Sequence, residues 1–175
     1  MTVANTTDVA GTTNATDTDH DIRRRRSLQE GYLPPARPYV DASLPLHTEQ
    51  QEEDDVVLAE IIRNKLWNIN VDHGEVLRRV SGSNIVIEGY DFNCAITTEI
   101  GDAVTCSPFS MFFAGIADAV IKWTLEFRST KPGIRPGDIF VQDDPWVGSN
   151  HQMDTATFAP LFLDGELYAW VFNCV

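Results

Sequence analysis

The 175-residue chain has only three cysteines, Cys94, Cys106 and Cys174, an odd number without CxxC spacing. Neither a disulfide framework nor a cysteine-built zinc site therefore organises it. Buried, reduced thiols acting as small hydrophobes are expected instead. Basic residues are scarce as well: 13 Lys and Arg face 26 Asp and Glu, for a net charge of −13. Binding a phosphate backbone needs a concentrated positive field, so nucleic acid is not an expected partner. No stretch approaches the roughly 20 apolar residues of a membrane-spanning helix. The first residues also lack the apolar run of a secretory signal, and a cytoplasmic location is expected. Branched apolar residues are thin through residues 1–54, which are rich in Thr, Asp, Asn, Pro and Gln. Such a segment cannot bury enough surface to offset its ordering entropy and reads as an extended or disordered arm. Residues 55–175 form the expected folding unit.

Prolines, by contrast, cluster. Pro34, Pro35, Pro38 and Pro45 make residues 31–50 an extended segment, punctuated by Tyr32, Leu33, Tyr39, Leu44 and Leu46. Residues 31–54 are expected to lie against another subunit, so that deleting residues 1–50 weakens complex assembly and leaves the fold of residues 55–175 unchanged. The basic run Arg23 to Arg26 reads as a solvated charge cluster, with targeting or partner docking as the alternative.

Regular structure is expected from Asp54 or Asp55, either of which can cap a helix. Val57, Leu58, Ile61, Ile62, Leu66, Ile69 and Leu77 follow helical spacing up to Ser81-Gly82. Gly74 reads as a weak point there, costing about 1 kcal/mol relative to alanine. His73 reads as a surface or helix-packing histidine, the alternative being a ligand. Ile85 to Ile87 and Phe92 to Ile96 read as strands, and Glu99 to Asp102 as a turn into Ala103 to Cys106. Pro108 marks the start of a second helix capped by Ser107 and ended by Lys131-Pro132-Gly133. It is apolar nearly all round and so a core helix, with a cofactor pocket as the alternative. A strand over 138–142 follows, and then a hairpin over 158–175 around Asp164-Gly165, a type I′ turn signal. This order predicts an α+β fold with helices packed on a mixed or largely antiparallel sheet.

The segment Asp143-Asp144-Pro145-Trp146-Val147-Gly148-Ser149-Asn150-His151-Gln152-Met153-Asp154 carries the candidate chemistry. An imidazole and a carboxylate are two of the three protein ligands that an open divalent-metal site commonly uses. On a regular strand, residues three apart face opposite sides. His151 and Asp154 can share an ion only if the chain turns, and Pro145 with Gly148-Ser149-Asn150 permits that. Spacing alone leaves the alternative of a surface histidine hydrogen-bonded to a nearby aspartate. Asp144 either shapes the loop through backbone N–H groups or ligates a metal. Asn150 orients substrate or the groups around the metal, or is simply a polar loop residue.

Four stretches resemble successive landmarks of the hydantoinase B family: Leu58 to Trp67, Tyr90-Asp91-Phe92-Asn93-Cys94-Ala95, Arg135-Pro136-Gly137-Asp138-Ile139-Phe140, and Asp144 to Asp154. That family includes N-methylhydantoinase, ATP-dependent 5-oxoprolinase and the metal-binding subunits of acetone and acetophenone carboxylases. The resemblance covers residues 56–175 and implies the N-terminal part of a larger catalytic subunit in a hetero-oligomer. The implied partner is a hydantoinase A-like subunit that binds ATP and Mg and phosphorylates an oxygen of the substrate or of bicarbonate. By motif, His151 and Asp154 are the first two ligands of a divalent metal, Zn or Mn, with Fe as a further choice. A third ligand, a histidine, is expected beyond Val175, so the isolated fragment is expected to be inactive. Asp91 matches a ligand, or a base near the metal, in the family's R-D-F-S-C-A stretch, from which this chain departs at Tyr90 and Asn93. A turn-capping aspartate is the alternative.

The metal's implied role is that of a Lewis acid. In a ketone carboxylase it assists an enol or enol phosphate in attacking activated CO2; in a hydantoinase or 5-oxoprolinase it polarises a cyclic amide for water attack. Gly148-Ser149-Asn150-His151-Gln152 differs from the G-G-T-H of hydantoinase members, which favours the carboxylase. A non-catalytic assembly subunit that keeps the fold and binds no metal is a third reading.

Overall fold

The computed structural model describes residues 19–49 and 55–175. Its centre is one sheet of five strands: β1 (Asn93–Thr98), β2 (Ala103–Cys106), β3 (Phe140–Gln142), β4 (Ala156–Leu163) and β5 (Glu166–Cys174). Their spatial order is β2-β1-β5-β4-β3, and every neighbouring pair is antiparallel. The β4–β5 hairpin turns where expected. Asp164 and Gly165 take φ 51° and 91°, the two left-handed positions of a type I′ turn.

One face of the sheet buries Phe158, Trp170 and Phe172, whose rings touch in sequence. Helix α4 (Ile116–Arg128), counting the helices in chain order, covers that face with Ala117, Val120, Ile121 and Leu125 fully buried. The expected core helix is therefore present, but it starts at Ile116 and not at Pro108. Ser107 is no cap. Its buried hydroxyl accepts from the Cys94 N–H at 3.0 Å and donates to Asn93 Oδ1 at 2.7 Å. Lys122 is buried on this helix and pairs with Asp102 at 2.7 Å and Asp118 at 2.9 Å. Burial alone would lower the pKa of its amine, but the two carboxylates outweigh that and raise it.

The opposite face carries helix α2 (Val56–Val80), capped by Asp55, whose Oδ1 accepts from Val57 N and Leu58 N. Asn70 and Gly74 are its buried residues; Asn70 donates to the Thr105 carbonyl at 3.0 Å. Gly74 is not a weak point. The Phe109 ring lies where a Cβ would stand, so glycine is what lets the two elements meet. Ile85 to Ile87, expected as a strand, belong to the short helix α3 (Asn84–Gly89), ended by Tyr90 at φ 53°. Only Val86 is buried there, beside Phe92 and Cys94. A three-residue apolar run has too little period to separate strand from helix.

Within the N-terminal segment, the described residues are not wholly extended. Residues Asp19–Glu30 form helix α1, which contains the Arg23–Arg26 run. Residues 32–47 dock on their own domain. Tyr32 donates its hydroxyl to Glu126, Leu44 is buried in the core, and Leu46 forms a parallel bridge with Leu167. Among the described residues, no helix is long and apolar enough to cross a membrane.

Candidate functional site

Residues 143–154 leave β3 and return to β4 as a series of turns, not as a strand. Val147 is buried in the core, and Gly148 presses on helix α4, where a Cβ would stand 2.9 Å from Val120. Asp144 shapes the bend. Its Oδ1 accepts from Trp146 N at 2.9 Å, and its carbonyl accepts from Val147 N and from the Gln142 side chain. Ser149 is buried, and its hydroxyl lies 3.3 Å from Gln142 Oε1 and 3.4 Å from the Asp154 carbonyl. The loop is thus fixed from below before its functional end is reached.

At that end Asp154 is 3% exposed. A carboxylate so enclosed needs hydrogen-bond donors, and its Oδ2 accepts from Asn150 N at 2.8 Å and His151 N at 3.1 Å. Its Oδ1 lies 3.2 Å from His151 Nδ1, while the histidine side chain remains 65% exposed. The turn therefore makes residues three apart converge, with one donor held rigidly and the other open to a ligand. Two donors about 2.0–2.1 Å from a shared ion would stand about 2.9 Å apart at a right angle and about 3.4 Å apart at the tetrahedral angle. The observed separation falls between these, and the donor types suit Zn, Mn or Fe. Without an ion, the same separation serves Nδ1–H donation to the carboxylate. Among the described residues, no group of three His, Cys, Asp or Glu could hold a metal, so this pair fits an ion without enclosing it.

The pair borders a cleft of about 390 Å³ at the end of the sheet, lined also by Asp91, Met153, Thr157 and Asn173. Asp91 is exposed there and follows the left-handed residue Tyr90. Asn150 contributes its backbone N–H to Asp154, whereas its side chain turns to the Phe112 carbonyl at 3.4 Å. Asp144 lines a different cleft, with Trp123 and Arg128. The structure thus brings together Asp91, His151 and Asp154, and it separates Asp144 from them. Burial pushes the thiols of Cys94 and Cys174 up to about 12. The Asp154 and Asp91 charges contribute at Cys174. Sequence reasoning missed Asn173 and Thr157; the signal was a lone amide in an otherwise apolar strand.

The sequence profile described as hydantoinase B/oxoprolinase matches residues 55–175. The acetone carboxylase alpha subunit of Xanthobacter autotrophicus is 28% identical over 127 residues, 72% of this chain and 16% of the relative. 5-Oxoprolinase 1 of Arabidopsis thaliana is 28% identical over 117 residues, 67% of this chain and 9% of the relative. The nucleotide-free acetone carboxylase structure superposes with TM-score 0.67 at 27% identity, covering 70% of this chain and 16% of that one. An ATP-dependent caprolactamase from Pseudomonas jessenii shares the fold, with TM-score 0.58 at 20% identity over 71% of this chain and 21% of that one. What the two solved structures have in common with the chain over the matched region is the fold. The chain belongs to the hydantoinase B/oxoprolinase family. It spans less than a quarter of the length of these relatives.

Proposed function

We propose that the chain supplies the metal-holding loop of a catalytic subunit in an ATP-dependent ketone carboxylase. The observation that carries this is the convergence of His151 Nδ1 and Asp154 Oδ1 within 3.2 Å beside an open cleft. His151 and Asp154 would hold a divalent ion, Zn or Mn before Fe, with a third donor from a residue outside this chain's described set. A bound ion would supply Lewis acidity at the substrate carbonyl. Asp154, fixed by two backbone N–H groups, keeps the donor pair in register before substrate arrives. Asp91, an exposed carboxylate lining the same cleft, would take a proton from the carbon next to that carbonyl. The partner in this reading is a hydantoinase A-like subunit that binds ATP and Mg and activates the substrate oxygen or bicarbonate. Superposition on acetone carboxylase supports the carboxylase reading.

The 5-oxoprolinase relatives, at the same identity as the carboxylase, support a second reading in which Asp91 activates water against a cyclic amide. One experiment separates the two. The intact protein with its partner is incubated with ATP, bicarbonate and ketones, and separately with ATP and cyclic amides. The expected result is bicarbonate-dependent ATP consumption with a ketone, together with a bound metal that is lost in both His151→Ala and Asp154→Ala. ATP hydrolysis that needs a cyclic amide and no bicarbonate sinks the carboxylase reading. A metal-free intact protein sinks both.

A further inference from the structure

Helix α2 buries only Asn70 and Gly74, both in its second half. From Val56 to Ile69 every residue is exposed except the half-buried Leu66. About 20 Å of helix, at the helical rise, therefore stands clear of the sheet. Its surface is not that of a solvated helix. Ala59, Leu66, His73 and Val80 recur at intervals of seven, and Ile62, Ile69 and Val76 recur at the same interval between them. Spacings that alternate three and four over three heptads make the seam of a coiled coil. Ile62, Ile69 and Val76 are 46%, 52% and 58% exposed, so the described residues leave this seam open. An open apolar stripe of this length marks an interaction surface. It lies about 100° around the helix from Asn70 and Gly74, beside the sheet and not on it. Ile69 and His73 border a groove of about 360 Å³ lined also by Ala159, Val171 and the exposed Ile139. Burial lowers the pKa of His73, so this polar member of the seam is uncharged at pH 7. Val57 and Ile61 lie off the seam and take no part in it.

Charge selects what fits. The flank of the seam away from the sheet carries Lys65, Asp72 and Arg79, all exposed. Consider two α2 helices paired antiparallel, with Leu66 level with Ile69 of the second copy. His73 then meets Ile62 of the second copy, Val76 meets Ala59, and Lys65 faces Asp72. Two-fold symmetry makes each of these contacts twice. A slip of one heptad in one direction sets Lys65 against Lys65. In the other direction it sets Asp72 against Asp72 and Lys65 against Arg79. A parallel pair sets Lys65 beside Asn70 and forms no ion pair on this flank. The antiparallel pair also suits the fold. Each projecting half lies beside the sheet-bound half of the other helix, and the two sheets stand at opposite ends.

We propose that α2 is a self-association surface. Two copies of this chain pair antiparallel along the seam, in the register that joins Lys65 of each copy to Asp72 of the other. This is independent of the metal reading of His151 and Asp154.

The test is sedimentation equilibrium of the full chain under reducing conditions, with wild type, Ile62→Glu, Lys65→Asp and Asp72→Lys. Wild type is expected to be a dimer. Ile62→Glu should be a monomer whose circular dichroism matches that of dilute wild type, since the replaced side chain is half exposed. Lys65→Asp and Asp72→Lys each turn two attractions into two repulsions, and each alone should dimerise about tenfold more weakly or worse. Mixed in equal amounts they should regain wild-type affinity, because every facing pair in the mixed dimer is again of opposite charge. That recovery is what a partner other than a second copy, or a parallel pair, would not produce. A wild-type chain that stays monomeric up to about 100 μM overturns the proposal and leaves the seam to a different protein surface. A dimer that survives Ile62→Glu overturns it too, as does a mixture no tighter than its two components.

Discussion

His151 and Trp123 show how differently two conspicuous side chains are used. The imidazole projects from a turn and is 65% exposed, whereas the indole is 8% exposed and packs at a tilt against Phe127. Replacing His151 by alanine is expected to change unfolding free energy by no more than about 0.5 kcal/mol while abolishing metal retention. Trp123→Ala is expected to cost about 3–5 kcal/mol through the cavity it leaves, with metal retention intact at temperatures where the variant is folded. Denaturant unfolding paired with elemental analysis of the intact protein checks both. A stability loss of several kcal/mol for His151→Ala would mean that the histidine is structural. Asp154 sits between these extremes, because its buried carboxylate satisfies two backbone N–H groups as well as facing the imidazole.

At the level of elements, α2 makes a close approach where Gly74 receives the Phe109 ring. That ring in turn lies tilted 4.5 Å from Phe92, centroid to centroid. Gly74→Ala should therefore destabilise by about 1–3 kcal/mol through overpacking, against the gain of about 1 kcal/mol that helix propensity alone promises. The midpoint of urea unfolding decides the sign. Propensity is local and legible; the ring that occupies the glycine's empty side comes from residue 109 and is not. The same contrast runs through the rest of the fold. Asp55 as a cap, Asp164-Gly165 as a turn and the all-round apolar helix α4 could be read because each signal is short-range. Ser107 was misread as a cap because its hydroxyl serves Cys94 and Asn93 across the sheet, 13 and 14 residues away. The His–Asp pair was legible through its motif. Its neighbours Asn173 and Thr157 were not, since only the β4–β5 register places them in the same cleft.

In the whole molecule, residues 32–47 act as a strap across the domain. Leu44 is in the core, and Pro45 and His47 hydrogen-bond to Leu167 on the central strand. Deleting residues 31–47 should therefore lower stability by about 2–5 kcal/mol, from lost apolar burial and an uncovered strand end. An unchanged unfolding midpoint would show instead that this segment rides on the surface without contributing. The strand order has a consequence of another kind, for how the protein comes into being. β5 lies between β1 and β4, so the strand at the middle of the sheet is translated after all four of the others. Until residues 166–174 leave the ribosome, the β1–β2 ladder and the β3–β4 ladder have no shared edge. Each exposes unpaired backbone to its surroundings. Pairing β1 with β5 then closes a loop of more than sixty residues, an entropic cost met late and in a single step (Thr98 with Ala169, for example). During synthesis, this domain waits on its centre.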